Sequence, residues 1–255
     1  GDSKQGLATG DNNQFVRQWY EISYSTSSLS TPCDYSKKWH PYNKGGAKRR
    51  WYGNQECLVN WENDGYEIKN NFDEKGKLRS RPQNTDFYFK PSLSWGLITA
   101  ATNSFRYYPE GFVFDVGGMS YFTNSNVDKY MVLGIMNTKF YTDVAKLINP
   151  TVNLQCGDVA KFPFLPVNSD SFKNMVEANV TMSKEDWDAH ETSWNFKWNE
   201  LMCMDENVLF DNINYQAEQH FKKTGEHICI DPAPPMPESV EWCYDMYCGK
   251  WERIF

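Results

Sequence analysis

The chain has 255 residues, a formal net charge of −7, 40% apolar residues and 16% aromatic residues. This apolar and aromatic content excludes a disordered chain, and the lack of any apolar run near about eighteen residues excludes a membrane-spanning helix. Seven cysteines without a C-x-x-C pair, and a start without a secretion signal, favour buried, reduced thiols in a cytoplasmic protein.

The charge is distributed unevenly along the chain. Residues 1–166 contain 19 Lys and Arg against 16 Asp and Glu, a net charge of +3, whereas residues 167–255 contain 7 against 17, a net charge of −10. The negative total therefore hides a basic first part that is suited to a polyanionic partner.

The first part, residues 1–166, has the pattern of a mixed sheet-and-helix domain. Short aromatic runs at 86–89 and 112–116 predict strands, because Gly, Asn and Pro separate them from their neighbours. Residues 69–81 have no apolar period and predict an exposed loop. Apolar residues at three- and four-residue spacings predict a helix over 126–148, which Asn149-Pro150 ends.

The second part, residues 167–255, is predicted to be acidic and mainly helical. Ser183-Lys184-Glu185-Asp186 is similar to a helix-capping signal and predicts a helix over 187–198. A further helix is predicted over 215–223. The fold class predicted for the whole chain is therefore α+β.

The end of the chain has two further signals. A proline-rich stretch at 231–237 predicts a stiff linker, because proline lacks the amide that a helix interior needs. A last helix is predicted from Ser239, and it reaches Phe255 without a glycine, a cap or a polar tail. We therefore expect the chain to be truncated within a helix of a longer protein.

A basic segment at 37–54 is the most informative stretch for function. Six cations lie between Lys37 and Arg50 without one acidic residue, and glycines and aromatic residues lie among them. Lysine and arginine neutralise phosphates, glycine lets backbone amides approach closely, and tryptophan and tyrosine stack on bases. Composition alone fits a nucleic-acid surface and a solvated basic loop with core aromatics equally well.

A second basic cluster follows at 75–84. It combines four cations with Gln83 and Asn84, whose amide side chains suit adenine edges. The alternative interpretation is a charged exposed loop, which composition alone favours.

Several ordered motifs resemble one family of proteins. The segment G-L-A-T-G-D-N-N-Q-F-V-R-Q-W-Y at 6–20 is similar to the start of the target-recognition region of large adenine-specific DNA methyltransferases, of the type IIG restriction-modification class and the BREX (phage-growth-limitation) phage-defence class. Further segments resemble the BREX-type proteins, and they lie at 38–46, 50–54, 59–65, 78–85, 111–115, 149–158, 183–188 and 191–194. The resemblance covers most of the chain to about residue 198 and fades between 201 and 237.

The resemblance implies that this chain reads double-stranded DNA while a catalytic domain of the same parent chain transfers a methyl group to adenine N6. Such domains hold the flipped adenine with an N-P-P-[YF] loop, but the Asn-Pro pair here continues as Asn149-Pro150-Thr151. No glycine loop suits S-adenosylmethionine either. We therefore expect no catalytic residue and no cofactor in this chain, and S-adenosylmethionine in the parent enzyme.

Candidate DNA-contacting residues follow from the two basic clusters and the resemblance. Phosphate contacts are expected from Lys37, Lys38, Lys44, Lys48, Arg49 and Arg50. Base-edge contacts are expected from Arg79, Arg81, Gln83, Asn84 and Arg106. Tyr42, Asn43 and Trp51 complete the predicted DNA-binding set.

Two other classes of function stay open. Glu67-Ile68-Lys69, with Asp64 nearby, has the E-x-K form of metal-dependent nucleases. In the restriction-nuclease fold, however, the aspartate lies on an earlier strand. Aromatic loops also fit a protein- or carbohydrate-interaction module. The pairs His227/Cys229 and Cys243/Cys248 lack zinc-site spacing, so no metal site is predicted.

Overall fold

The structure is a computed structural model that describes residues 1–30, 32–98, 103–124, 127–164, 169–197, 217–218 and 220–225. Residues 1–194 form one compact unit and residues 195–255 form a second. The described residues between 217 and 224 are helical, which agrees with the helix predicted over 215–223. The predicted linker at 231–237, the predicted last helix and the residues at 227, 229, 243 and 248 lie outside the described residues.

Two four-stranded sheets form the β part of the first unit. Within the described residues, the strands are β1 (Asp2–Lys4), β2 (Val16–Gln18), β3 (Trp39–Asn43), β4 (Cys57–Asn60), β5 (Ser92–Trp95), β6 (Phe105–Tyr108), β7 (Val113–Phe114) and β8 (Ser120–Phe122). The first sheet has the order β1-β8-β5-β6 and is antiparallel throughout. The second has the order β2-β4-β3-β7, in which only β7 is parallel to its neighbour.

Strand β3 is the buried centre of the second sheet. All five of its residues are buried, although Pro41 cannot donate a backbone hydrogen bond. Pro41 lies opposite Leu58 of β4, and the pairing with β7 starts only at Tyr42 and Asn43. The proline therefore lies just before the parallel pairing, where a missing N–H costs least.

The helices of the described residues are α1 (Asn12–Phe15), α2 (Glu62–Lys69), α3 (Lys129–Met136), α4 (Lys139–Ile148), α5 (Cys156–Ala160) and α6 (Asp170–Asp188). Helices α1, α3, α4 and α6 begin after a residue whose side chain accepts a hydrogen bond from a free amide of the first turn. Asp128, Thr138 and Ser169 accept hydrogen bonds from the backbone amides of Tyr130, Tyr141 and Phe172, and so cap α3, α4 and α6.

The helix predicted over 126–148 is two helices, α3 and α4. The side chain of Asn137 accepts a hydrogen bond from the backbone amide of Phe105 at 3.0 Å and donates to its carbonyl at 2.9 Å. Asn137 thus binds strand β6 as a neighbouring strand would, and Thr138 then starts α4. Apolar spacing predicted the buried face but not this break, because the break depends on a partner distant in sequence.

The prediction of a helix over 187–198 is wrong. Ser183 lies inside α6, which starts thirteen residues earlier at Asp170 and ends at Asp188. Residues 189–197 form turns, and the Ser193 hydroxyl donates to the Asp188 carboxylate at 2.6 Å. A capping pattern that an ongoing helix passes through has no free amides to satisfy, so the local signal misled.

The predicted strands and loop had different outcomes. Residues 112–116 contain strand β7, as predicted. The prediction of a strand at 86–89 is wrong. A short 3₁₀ helix covers Thr85–Phe87 there, between left-handed Asn84 and Phe89. Residues 69–81 contain mostly exposed or half-exposed side chains, which confirms the predicted loop.

The core of the first unit has two parts. One joins the first sheet to helices α3–α6 through residues such as Trp95, Phe105, Leu133 and Val176. The other surrounds the second sheet and includes Leu7, Phe15, Tyr42, Val59, Trp61, Ile68, Tyr88 and Phe114. Mixed sheets and helices in one unit confirm the α+β class.

The boundary predicted at residue 166 falls inside the first unit. A Cβ on Gly134 of α3 would lie 2.6 Å from the side chains of both Phe172 and Val176 of α6, so the two helices are in direct contact. Asp128 and Lys173 form an ion pair at 2.8 Å beside this contact. Helix α6 therefore packs directly on α3, which lies on the other side of the predicted boundary.

Two further expectations from composition concern thiols and membranes. Cys33, Cys57 and Cys156 are free thiols with intermediate exposure, and burial raises the pKa of each. In the part of the chain that the structure describes, every helix is too short or too polar to cross a membrane.

Candidate nucleic-acid interface

The first basic cluster contains a loop, residues 44–50, that we call the basic loop. Arg106 of β6 lies beneath it and is fully buried. Its guanidinium donates to the carbonyl oxygens of Gly45, of Ala47 at 3.3 Å and of Arg49 at 3.2 Å. A guanidinium has five donors and no acceptor, so it is well suited to collect several carbonyl groups. Arg106 therefore determines the shape of the loop.

Asn54 holds the basic loop from the opposite end. Its side-chain amide donates to the carbonyl oxygens of Gly45 at 3.1 Å and Ala47 at 2.7 Å. Trp51, in a left-handed conformation, exchanges backbone hydrogen bonds with Phe105 and Tyr107 beside β6. Sequence reasoning missed Asn54, although the Gly53-Asn54 pair is a turn signal.

Lys48 and Arg50 are the two cations that the basic loop presents to solvent. Both side chains are exposed, and no carboxylate among the described residues lies within 4.0 Å of either. Arg49 is used differently, because it forms an ion pair with Asp186 at the end of α6 and donates to the Tyr52 carbonyl at 3.0 Å. Two of these three adjacent cations are therefore available to a ligand.

The other cations of the first cluster have acidic partners. Lys37 lies 3.7 Å from Asp34 and Lys44 lies 4.0 Å from Asp115. Lys38 lies 3.3 Å from Glu62 and 3.4 Å from Glu67. Desolvation lowers the pKa of Lys38, but these two carboxylates outweigh it and raise the pKa overall. The six cations therefore do not form one uniform basic patch.

Three residues predicted to contact DNA are buried. Asn43 donates to the Ser94 hydroxyl at 2.7 Å and to the Gly118 carbonyl at 3.2 Å, and so joins the second sheet to the first. Tyr42 donates to Asp115 at 2.6 Å, and desolvation together with this carboxylate raises its pKa well above 10.0. The side chains of Tyr42, Asn43 and Arg106 are enclosed and cannot reach a base or a phosphate in this conformation. They are therefore structural residues and not candidate DNA contacts.

The four cations of the second basic cluster lie on a folded turn, residues 71–81, that we call the basic turn. The Asp73 carboxylate accepts the backbone amides of Lys75 at 2.9 Å and Lys77 at 2.8 Å, and the Arg79 amide donates to the Asn71 carbonyl at 2.8 Å. These bonds give the loop a defined shape without a partner. The side chains of Lys75, Lys77, Arg79 and Arg81 are exposed, and none of them forms an ion pair with a described residue.

The end of the basic turn is attached to the start of the chain. Ala8 and Arg81 exchange backbone hydrogen bonds of 3.1 Å and 2.7 Å. The Gln83 and Asn84 amide groups donate to the carbonyls of Gly6 at 3.2 Å and Gln5 at 2.8 Å. Two sequence motifs that resemble the same family are therefore adjacent in space. The side-chain amides of Gln83 and Asn84 are thus already engaged with backbone carbonyls. Arg79 and Arg81 are therefore the better candidates for contact with a base edge.

The residues of the nuclease-like motif form ion pairs and hydrogen bonds with their neighbours. Glu67 binds Lys38 and the Asn60 amide, the latter at 3.0 Å, while Lys69 binds Asp64 at 2.6 Å. In the described ranges, no group of three His, Cys, Asp or Glu side chains could hold a metal ion. Glu67 and Lys69 of the E-x-K motif therefore belong to surface ion pairs.

Comparison with known proteins identifies relatives along most of the chain. It is 35% identical over 225 residues to the adenine-specific methyltransferase PglX of Lacticaseibacillus casei (strain Zhang), which covers 87% of this chain and 18% of that protein. It is 37% identical over 214 residues to the adenine-specific methyltransferase BrxX of Escherichia coli O9:H4 (strain HS), covering 83% and 17%. The chain belongs to the sequence family of PglX and BrxX. This confirms the family that the motifs predicted.

The match is to a part of each relative. The chain spans less than a fifth of the length of PglX and of BrxX. No protein-family model matches the chain.

Proposed function

We propose that this chain is a sequence-reading module for double-stranded DNA in an adenine-specific methyltransferase of the PglX and BrxX family. The observation that carries the proposal is that Lys48 and Arg50 are exposed, without an ion pair to any described residue, on a loop that Arg106 and Asn54 hold in shape. A rigid loop presents its cations without a large loss of conformational entropy, so phosphate binding is favoured.

The two basic elements have different roles in this proposal. The basic loop grips phosphates and positions the duplex, whereas the basic turn brings Arg79 and Arg81 to base edges. Phosphate contacts carry no sequence information, and specificity needs side chains in a groove. Arginine is suited to guanine, because its paired donors match the O6 and N7 acceptors.

Methyl transfer belongs to a catalytic domain of the parent chain in this proposal, and that domain is the direct partner of this module. S-adenosylmethionine binds there, since this chain has neither the N-P-P-[YF] loop nor a glycine loop of the expected context. We expect the parent to act in the cytoplasm, in defence against phage DNA.

A comparison of two double variants tests the phosphate contacts. Lys48→Ala/Arg50→Ala removes two cations that form no ion pair within the described part of the chain, and Lys37→Ala/Lys38→Ala removes two cations that have carboxylate partners. Each lost phosphate contact lowers the slope of log Kd against log salt by about 0.9, so the first variant should lose about 1.8. The control variant should lose much less, because its cations are already partly neutralised.

Fluorescence anisotropy of a labelled duplex at several salt concentrations measures both slopes. Equal slopes for the wild type and Lys48→Ala/Arg50→Ala would remove the basic loop from the interface. Arg81→Ala tests base reading, and it should cost about 1–3 kcal/mol at one base position with little change elsewhere. A glycan array on the same preparation tests the carbohydrate-binding alternative.

A further inference from the structure

A cleft of about 340 Å³ lies outside both basic elements, and Tyr35, Trp61, Asp64 and Phe89 line it. Three of the four lining residues are aromatic, and the fourth is a carboxylate. Its volume falls at the lower end of the range of small-molecule sites. The proposed DNA contacts use none of these residues.

Two of the lining residues have a left-handed backbone conformation. Phe89 has φ of 66° and Asp64 has φ of 57°, in the left-handed region. Phe89 stays there because its amide donates to Phe112 at 2.8 Å and its carbonyl accepts from Gly111 at 2.9 Å. A bulky residue in this region has a strained backbone, and such strain is concentrated at ligand sites.

The turn that carries Asp64 packs directly on the Trp61 indole. Asn63, Asp64 and Gly65 are all left-handed, and a Cβ on Gly65 would lie 2.6 Å from the indole ring. Only glycine fits at this position, both for its φ of 70° and for this contact. The turn that carries Asp64 is therefore fixed in shape against the indole.

The opposite wall is a pair of rings. Tyr35 and Phe89 meet edge to face with centroids 5.1 Å apart, and the buried His40 ring lies behind Phe89 at 5.2 Å. The Tyr35 hydroxyl donates to Glu110 at 2.9 Å, which orients its ring. Desolvation and Glu110 raise the pKa of Tyr35 to about 12. Tyr35 is 52% exposed, so a ligand can reach its ring.

The polar groups at the cleft are balanced in charge. Asp64 forms an ion pair with Lys69 at 2.6 Å, and the Lys69 ammonium lies 5.3 Å from the Trp61 ring. Lys69 thus occupies the position over the Trp61 ring that a cationic ligand would take, and its charge disfavours the binding of a second cation there. What remains is an aromatic wall beside one hydrogen-bond acceptor and one donor. A nucleobase offers the complementary surface, with a flat face and an edge that carries both amine and acceptor groups.

We propose that this cleft binds a single unstacked nucleobase, which stacks on Tyr35 and forms edge hydrogen bonds with Asp64 and Lys69. The proposal rests on the proposed DNA-reading function, and it adds a second mode of recognition for a base outside the duplex. Stacking on aromatic side chains tolerates every base, whereas the carboxylate favours bases with an exocyclic amine.

A bulged duplex tests the cleft. The probe is a DNA duplex with one extrahelical 2-aminopurine, compared with the same duplex without the bulge. The full chain should bind the bulged duplex more tightly and quench the 2-aminopurine fluorescence. Tyr35→Leu should abolish the quenching and weaken binding to the bulged duplex about 5- to 100-fold, while Tyr66→Leu, a similarly exposed tyrosine that does not line the cleft, should change neither.

Three outcomes overturn the proposal: quenching that persists in Tyr35→Leu, no preference for the bulge, or displacement of the probe by tetramethylammonium, which would assign the cleft to organic cations. If Tyr35→Leu does not fold, Asp64→Asn decides instead, since asparagine also tolerates the left-handed backbone. It should reduce the preference for adenine over thymine in the bulge, and an unchanged preference is contrary to the proposal. Binding of the fully paired duplex, measured alongside, separates failure of the cleft from failure of the DNA-reading function.

Discussion

Arg49 and Asp186 form an ion pair that attaches the basic loop to the end of α6, across 137 residues of sequence. The same guanidinium lies 5.0 Å from the centroid of the Trp187 ring. The middle one of three adjacent cations is thus an anchor, while Lys48 and Arg50 on either side are exposed. The position of the loop therefore depends on α6.

A double-mutant cycle on Arg49→Ala and Asp186→Ala should give a coupling free energy of about 0.2–1 kcal/mol. The value is small because both side chains are partly exposed and water screens the pair. Arg49→Ala alone should cost more than Asp186→Ala alone, since it also removes the contact with Trp187. Urea unfolding measures all four proteins, and strictly additive effects would contradict the pair.

Replacement of Arg106 by methionine should lower the free energy of unfolding by about 1.5–3 kcal/mol, the range for hydrogen bonds made by a charged group. The carbonyls of Gly45, Ala47 and Arg49 would lose the donors of a fully buried guanidinium, and only the first two keep a donor among the described residues, from Asn54. Arg106→Lys should also destabilise, because an ammonium cannot reproduce the planar fork.

Arg50→Met is the matched control for Arg106→Met, since it removes an exposed arginine from the same loop. Its free energy of unfolding should stay within about 0.5 kcal/mol of the wild type. Equal effects of the two substitutions in urea titrations would show that Arg106 is not the support of the loop.

Gly10→Ala should destabilise the chain more than Gly76→Ala. Both glycines are left-handed, with φ of 76° and 74°, so both variants incur about 1–2 kcal/mol of backbone strain. A Cβ at Gly10 would also lie 2.7 Å from the Arg79 backbone, whereas a Cβ at Gly76 would meet nothing within 4 Å. Thermal unfolding of both variants measures the difference, and equal melting temperatures would contradict the close packing of the chain start on the basic turn.

The ion pair of Asp128 and Lys173 should make stability depend on pH in the acid range. Desolvation raises the pKa of Asp128, but the hydrogen bond from Lys173 and the backbone amides outweigh it, so the folded pKa lies below the ordinary 3.8. A carboxyl with a lowered folded pKa contributes stability above its unfolded pKa and loses it as the pH falls through the folded pKa.

Asp128→Asn keeps the helix cap and removes the charge. It should therefore be less stable than the wild type at pH 7, and the difference should shrink as the pH falls from about 3.8 through the lower folded pKa, which urea titrations at several pH values measure. A difference that stays constant as the pH falls below 3.8 would show that the charge is not its cause.

Local patterns predicted those features that depend on neighbours in sequence. The buried face of residues 126–148 follows from apolar spacing, and the exposed loop at 69–81 follows from the lack of it. The motifs at 6–20 and 78–85 predicted the family without any knowledge that they lie side by side. The strand predicted at 86–89 was wrong because aromatic residues in a short run do not reveal left-handed backbone at Asn84 and Phe89.

The sequence by itself determined the α+β class, the family and the presence of two basic clusters. Only the tertiary structure decided which cations are exposed, because the partner of a charge is set by contacts between distant segments. Arg106 and Arg50 are the same residue type in basic surroundings, yet one is enclosed by loop carbonyls and the other faces solvent. Desolvation and pairing act through space, and no spacing along the chain encodes them.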